Sequence, residues 1–150
     1  MVATSVALGF DYGRRRIGVA VGSRASGSTE PLDWVACRDG KPDWAAIGRL
    51  VAEWKPAILV VGLPYNIDGS ASEMSGAARR FGNRLGARFG LPVEFIDERL
   101  SSREAGARLL EQRRRGERGR LRKHHLDEAA AAVILQSWLD QCSHRGPDEG

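Results

Sequence analysis

The first two apolar runs of the chain each carry one bulky and one nearly bare set of side chains, and this limits the fold more than any other feature. In residues 6–11, Val6, Leu8 and Phe10 alternate with Ala7, Gly9 and Asp11; in residues 16–22, Ile17, Val19 and Val21 alternate with Gly18, Ala20 and Gly22. Strand side chains point to opposite faces with period two, so both runs predict β-strands, joined as a hairpin through Tyr12-Gly13-Arg14-Arg15. A face without side chains lets another element approach closely. Asp11 stands at the strand end on that bare face.

A third run, 32–37, extends the hairpin to an antiparallel meander. Helical spacing over 43–55 puts Trp44, Ile47, Leu50, Val51 and Trp54 on one side, and Pro56 ends it. Residues 57–61 are continuously apolar, as in a central parallel strand. Residues 62–69 read as a loop, Ser70-x-x-Glu73 as a capping box opening a helix to about Phe89, and 92–96 as the next strand. A second capping box, Ser101-x-x-Glu104, starts a helix to about Gln112. A last helix is expected over about 126–141, with a polar, frayed tail from Ser143. This order predicts an α/β fold with a mixed five-stranded sheet, three strands as an antiparallel meander plus two parallel strands, and helices on both faces. Trp34, Trp44 and Trp54 are expected as core anchors.

The 150 residues make one domain, large enough for a core without disulfides or a structural metal. Cys37 and Cys142 have no Cys or His at ligand spacing, and the composition excludes collagen, coiled coil and wholesale disorder. No run approaches a membrane span, and residues 1–10 have neither a basic start nor an A-x-A-like cleavage site, so a cytoplasmic protein is expected. The net charge of +4 is concentrated. Residues 111–123 hold seven of the 23 basic and two of the 19 acidic residues, leaving 16 against 17 elsewhere. That clustering predicts a flexible basic arm that meets polyanions, although arginine-rich coding bias accounts equally well for the choice of Arg over Lys.

Three acidic positions could do chemistry. Counting at helical spacing from Asp127 reaches Ala131, Ile134 and Trp138, so Asp127 lies in the buried stripe of the last helix while Glu128 falls to its flank. It either complements the helix dipole or is aimed at the sheet, where an unpaired carboxylate is costly without a cation. Asp97 and Glu98 end the last strand and point to opposite faces, so at most one joins Asp11. Three converging carboxylates would suit magnesium or manganese. Adjacent His124 and His125 point in different directions and are not expected to be ligands.

The blocks Leu8-Gly-Phe-Asp-Tyr-Gly-Arg-Arg-Arg-Ile-Gly-Val-Ala-Val21, Val60-Val-Gly-Leu-Pro-Tyr-Asn-Ile-Asp-Gly-Ser70, Ile96-Asp-Glu-Arg-Leu-Ser-Ser102 and Asp127-Glu-Ala-Ala-Ala-Ala-Val-Ile-Leu-Gln136 together resemble the YqgF (RuvX) family. That family comprises bacterial proteins with a ribonuclease H-like fold, described as pre-16S rRNA nucleases and as Holliday junction resolvase-like. The resemblance implies that Asp11, Glu98 and Asp127 form a catalytic and metal-binding set, and it favours Glu98 over Asp97. It implies hydrolysis of phosphodiester bonds with Mg2+ or Mn2+, two ions roughly 4 Å apart activating water and stabilising the leaving oxygen. Arg14, Arg16 and Arg99 become candidates for phosphate contacts, and Asn66, with Asp68 and Gly69, for contact with the nucleic acid. The implied substrate is precursor rRNA, for processing of the 5′ end of 16S rRNA, with the small ribosomal subunit as a partner. Branched DNA, or a non-catalytic ribosome-assembly role, is the alternative. The chain departs from the wider ribonuclease H pattern at Gly62, where many relatives place an acid, and this leaves metal count and geometry open.

Asp11-Tyr-Gly13 followed by a basic hairpin also resembles the first phosphate motif of actin-like and sugar-kinase ATPases, but those need two such domains. A non-catalytic module predicts damaged acidic positions, and all three are intact. Monomer and homodimer both remain open; a resolvase cutting symmetrically needs two sites.

Overall fold

The computed structural model describes residues 6–64, 68–98 and 123–145, and side chains of the last segment over 128–142. Strands β1 (Val6–Asp11), β2 (Arg16–Ser23) and β3 (Ser28–Arg38) form the antiparallel meander, followed by the two-residue β4 (Lys41–Pro42), helix α1 (Trp44–Trp54), β5 (Ile58–Leu63), helix α2 (Glu73–Phe89), β6 (Val93–Asp97) and helix α3 (Lys123–Arg145). The sheet order is β4-β3-β2-β1-β5-β6, with β5 parallel to both β1 and β6. Among the described residues the sheet thus has six strands instead of the expected five. The addition is β4, which pairs Cys37 with Pro42 after a tight turn through Asp39 and Gly40, both at positive φ. Two residues are too few to leave a period-two signal.

The two faces are covered as their side chains dictate. Leu8, Phe10, Ile17, Val19, Leu59 and Val61 build one core with Ile47 of α1 and Phe81 and Leu85 of α2. Ala7, Ala20 and Val60 meet Ala131, Ile134, Leu135 and Trp138 of α3 on the other. The bare face sets how near α3 comes: a β-carbon built on Gly9 would lie 2.9 Å from Leu135 Cβ and 3.3 Å from the Ala131 carbonyl oxygen.

Helix ends correct several expectations. Asp43 caps α1 by accepting from the Ala46 amide at 3.1 Å. Helix α2 is capped by Ser72, not Ser70: the Ser72 hydroxyl accepts from the Ser75 amide at 3.0 Å, and the Ser75 hydroxyl accepts from the Ser72 amide at 2.8 Å. Ser70 instead donates its amide and hydroxyl to Asp68, at 2.9 and 2.6 Å. The Ser72 hydroxyl also reaches the Pro64 carbonyl at 2.6 Å. Ser72→Ala should therefore lower stability by about 1 kcal/mol, a fall of roughly 2–4 °C in Tm at this chain size, readable by thermal melting. Helix α3 is longer than the expected 126–141 and takes in Ser143 to Arg145, because Gly146 and Pro147 are the first residues there that oppose a helix. The expected helix opened by Ser101-x-x-Glu104 and the arm over 111–122 lie outside the described residues.

Trp44 stacks on Phe81 at 5.8 Å and Trp54 packs against the same core, but Trp34 is 38% exposed and does not anchor it. Cys37 and Cys142 are both free thiols. No helix among the described residues is long and apolar enough to cross a membrane.

Candidate active site at the carboxyl ends of the strands

Asp11 is the last residue of β1 and pairs with Gly18 of β2. On its other side the register of Phe10 opposite Val61 brings Gly62 alongside. The sequence therefore flanks the half-buried Asp11 with two residues that have no side chain, on the face that α3 covers.

Glu98 follows β6 and shares the parity of Glu94 and Ile96. Both belong to the α3 face, since Ile96 is buried in that core and Glu94 Oε1 accepts from Trp138 Nε1 at 2.8 Å. The Glu98 carboxylate lies over Gly62, where a β-carbon would stand 2.9 Å from Oε2. Asp97 has the opposite parity. Burial pushes the Glu98 carboxyl above the ordinary carboxylate range, and the neighbouring Asp97 charge pushes it the same way.

Helix α3 packs across β3, β2, β1 and β5 and reaches β6 through Trp138. Trp138 sits by Glu94 near the start of β6, whereas Ile134 Cδ1 lies 2.6 Å from the β-carbon position of Gly62, near the end of β5. The amino end of α3 therefore points toward the strand ends that carry Asp11 and Glu98. Asp127 lies in that end, two turns before Ile134, about 10 Å along the axis. Its side chain lies outside the described residues, as do those of His124 and His125, and Asn66 and Arg99 lie wholly outside them. Asp68 and Gly69 form a turn, with Gly69 at φ 91°.

The two hairpin arginines differ in placement. Arg16, paired with Ala36, shares the parity of Gly18 and so belongs to the α3 face. Arg14 lies on the exposed hairpin and is ion-paired with Glu73. An exposed pair of this kind is worth under about 1 kcal/mol, so a phosphate could compete for Arg14. Sequence reasoning missed Trp34. It pairs with Gly18, which puts the exposed indole on the face of Asp11, two strands away. The register that links them contains a bulge between Val19 and Ala20, and no period-two reading reveals that.

The donors at this edge are carboxylate oxygens, the set that suits a hard divalent cation. The glycine at position 62 leaves the space in which the Glu98 carboxylate sits, and that carboxylate is half-buried beside a second negative charge. A cation would relieve both penalties, so Asp11 and Glu98 fit a metal. A test follows for the metal-free protein. With its pKa raised on folding, Glu98 lowers stability as pH rises through the ordinary carboxylate range toward the raised value. Glu98→Gln should therefore raise Tm in EDTA at neutral pH, by an increment that shrinks as the pH is lowered toward 4. A lower Tm at neutral pH would contradict this electrostatic account.

A family model described as RuvX, Holliday junction resolvase, matches residues 5–141. A Pseudomonas putida protein named "Putative pre-16S rRNA nuclease" is 50% identical over 134 residues, 89% of this chain and 93% of the relative. A Burkholderia ambifaria protein of the same name is 52% identical over 136 residues, 91% of this chain and 89% of the relative. Among solved structures, T. thermophilus RuvC in complex with a Holliday junction substrate superposes with a TM-score of 0.58 at 17% identity, over 92% of this chain and 96% of that one. The yeast mitochondrial resolvase Ydc2 gives 0.56 at 11% identity, over 96% and 82%. The fold is thus that of the RuvC-like resolvases, which are ribonuclease H-like.

Proposed function

The chain belongs to the RuvX (YqgF) family, and on that premise we propose that it is a metal-dependent endonuclease that hydrolyses phosphodiester bonds of precursor rRNA at the 5′ end of 16S rRNA, in the cytoplasm. The reading takes the chain as one nuclease domain. Asp11, Glu98 and Asp127 hold the metal, and Arg16 neutralises substrate phosphate on the same face. Mg2+ or Mn2+, when bound, supplies an activated water and charge stabilisation at the leaving oxygen. The carboxylates themselves do not attack the phosphate. The observation that carries the reading is the Glu98 carboxylate over Gly62, at the strand ends and on the face to which Asp11 belongs. RNA is favoured over branched DNA by the names of the relatives and by exposed Trp34 on that face, since unpaired bases stack on aromatic rings.

The test presents the purified protein with a precursor 16S 5′-leader RNA and with a four-way DNA junction, each with magnesium, manganese or EDTA. Metal-dependent cleavage of the RNA is expected. Cleavage of the junction alone would replace this reading with a resolvase, and no cleavage of either would leave the non-catalytic assembly role.

A further inference from the structure

On the sheet face opposite Asp11, a groove of about 940 Å³ opens between the β1–β2 hairpin, the β3–β4 turn and α2. Its rim carries Arg14, Arg15, Arg38, Arg80 and Arg84, against only Asp39 and Glu73. Glu73 is paired with Arg14. We infer that this groove binds the sugar-phosphate backbone of the single-stranded nucleic acid that continues past the carboxylates, without reading its sequence. The inference rests on the nuclease reading for what the strand is, and on the groove alone for where it lies.

The sequence of α2 concentrates the charge at a cost. Arg80, Arg84 and Arg88 stand four residues apart, one column on the helix, and none of the positions three or four residues from Arg80 or Arg84 is acidic. Like charges at that spacing disfavour the helix by about 0.2–0.5 kcal/mol per pair, a penalty that a bound polyanion removes. Guanidinium forks also match phosphate oxygens two at a time.

The groove is built on a fixed base. The Tyr12 hydroxyl donates to the Gly40 carbonyl at 3.3 Å, and its ring packs 5.1 Å from Phe81. One side chain thus ties the hairpin to the β3–β4 turn and to α2. Asp11 and Tyr12 are consecutive, about 3.8 Å apart along the backbone, with side chains on opposite faces. A strand crossing the carboxyl end of β1 passes from one site to the other.

A protein partner fits less well. Protein interfaces are anchored by large apolar side chains, and the one exposed large hydrophobic residue among the described residues, Trp34, is not part of the groove.

The test compares wild type, Arg80→Gln/Arg84→Gln, and the charge-matched control Arg49→Gln/Lys55→Gln on α1 and its cap. Binding of a fluorescein-labelled single-stranded RNA of mixed sequence is measured by anisotropy in EDTA across a salt series, with Tm as the check on folding. Each phosphate neutralised on a single strand contributes about 0.7 to the slope of log K against log salt. The groove variant should bind roughly tenfold more weakly at low salt and lose about 1.4 from the slope, while the control keeps both. Equal losses in the two variants would reduce the effect to net charge and overturn the inference. Unchanged binding by a folded groove variant would overturn it too, pointing to an acidic protein as the occupant. Because the assay needs no cleavage, an inactive enzyme whose groove variant still loses RNA binding refutes the nuclease reading and leaves the groove standing.

Discussion

Asp11→Asn should lose metal-dependent cleavage of the precursor RNA by at least about a hundredfold while remaining folded. Asn keeps the shape of the side chain but carries no negative charge, and removal even of a partner that only orients a metal ligand costs 10–100-fold. The position offers little compensation, because its β2 neighbour is Gly18 and its β5 neighbour is Gly62. No side chain from either strand can replace the lost carboxylate. Asn fills nearly the same volume as Asp at this half-buried position, so the variant should still fold, and thermal melting checks that it does. RNA binding in EDTA should be unchanged. Cleavage equal to wild type, by protein purified away from contaminating nucleases, would remove Asp11 from the site and with it the metal reading.

Much of the frame of this site was legible in the sequence because it follows from parity. The Ala7, Gly9, Asp11 and Gly18, Ala20, Gly22 sets announce a face that another element must approach, and α3 is that element. Parity could not choose between Asp97 and Glu98, because which of them faces α3 depends on the placement of β6 against β5. The register Leu63 opposite Asp97 supplies that placement. Ser70-x-x-Glu73 failed as a capping box because Asp68 captures Ser70 and Arg14 captures Glu73, leaving Ser72 and Ser75 to cap each other. The arginine groove was invisible for a different reason. Its residues come from the hairpin, the β3–β4 turn and α2, up to 70 positions apart from Arg14 to Arg84, and only tertiary packing joins them.

Gly62→Ala and Gly9→Ala should separate the site from the scaffold that supports it. Both glycines face α3, and an added methyl group collides at both, yet the atoms it meets differ in how they can move. At Gly62 the nearest atoms are Ile134 Cδ1 at 2.6 Å and Glu98 Oε2 at 2.9 Å, the far ends of two flexible side chains. Rotating them away leaves the helix in place, so stability should fall by only about 1 kcal/mol, within the range of tolerated overpacking. The displaced Glu98 carboxylate can no longer occupy its cradle, and cleavage should fall tenfold or more even at saturating magnesium. At Gly9 the methyl meets Leu135 Cβ at 2.9 Å and the Ala131 carbonyl oxygen at 3.3 Å, atoms that move only with the helix backbone. That variant should lose more stability, about 1–3 kcal/mol and roughly 2–4 °C in Tm for each kcal/mol. Its loss of activity should be partly recovered at lower temperature, where the helix is held, whereas Gly62→Ala should stay impaired at every temperature. A Gly62→Ala enzyme with full activity would show that the reaction does not need Glu98 where the fold places it.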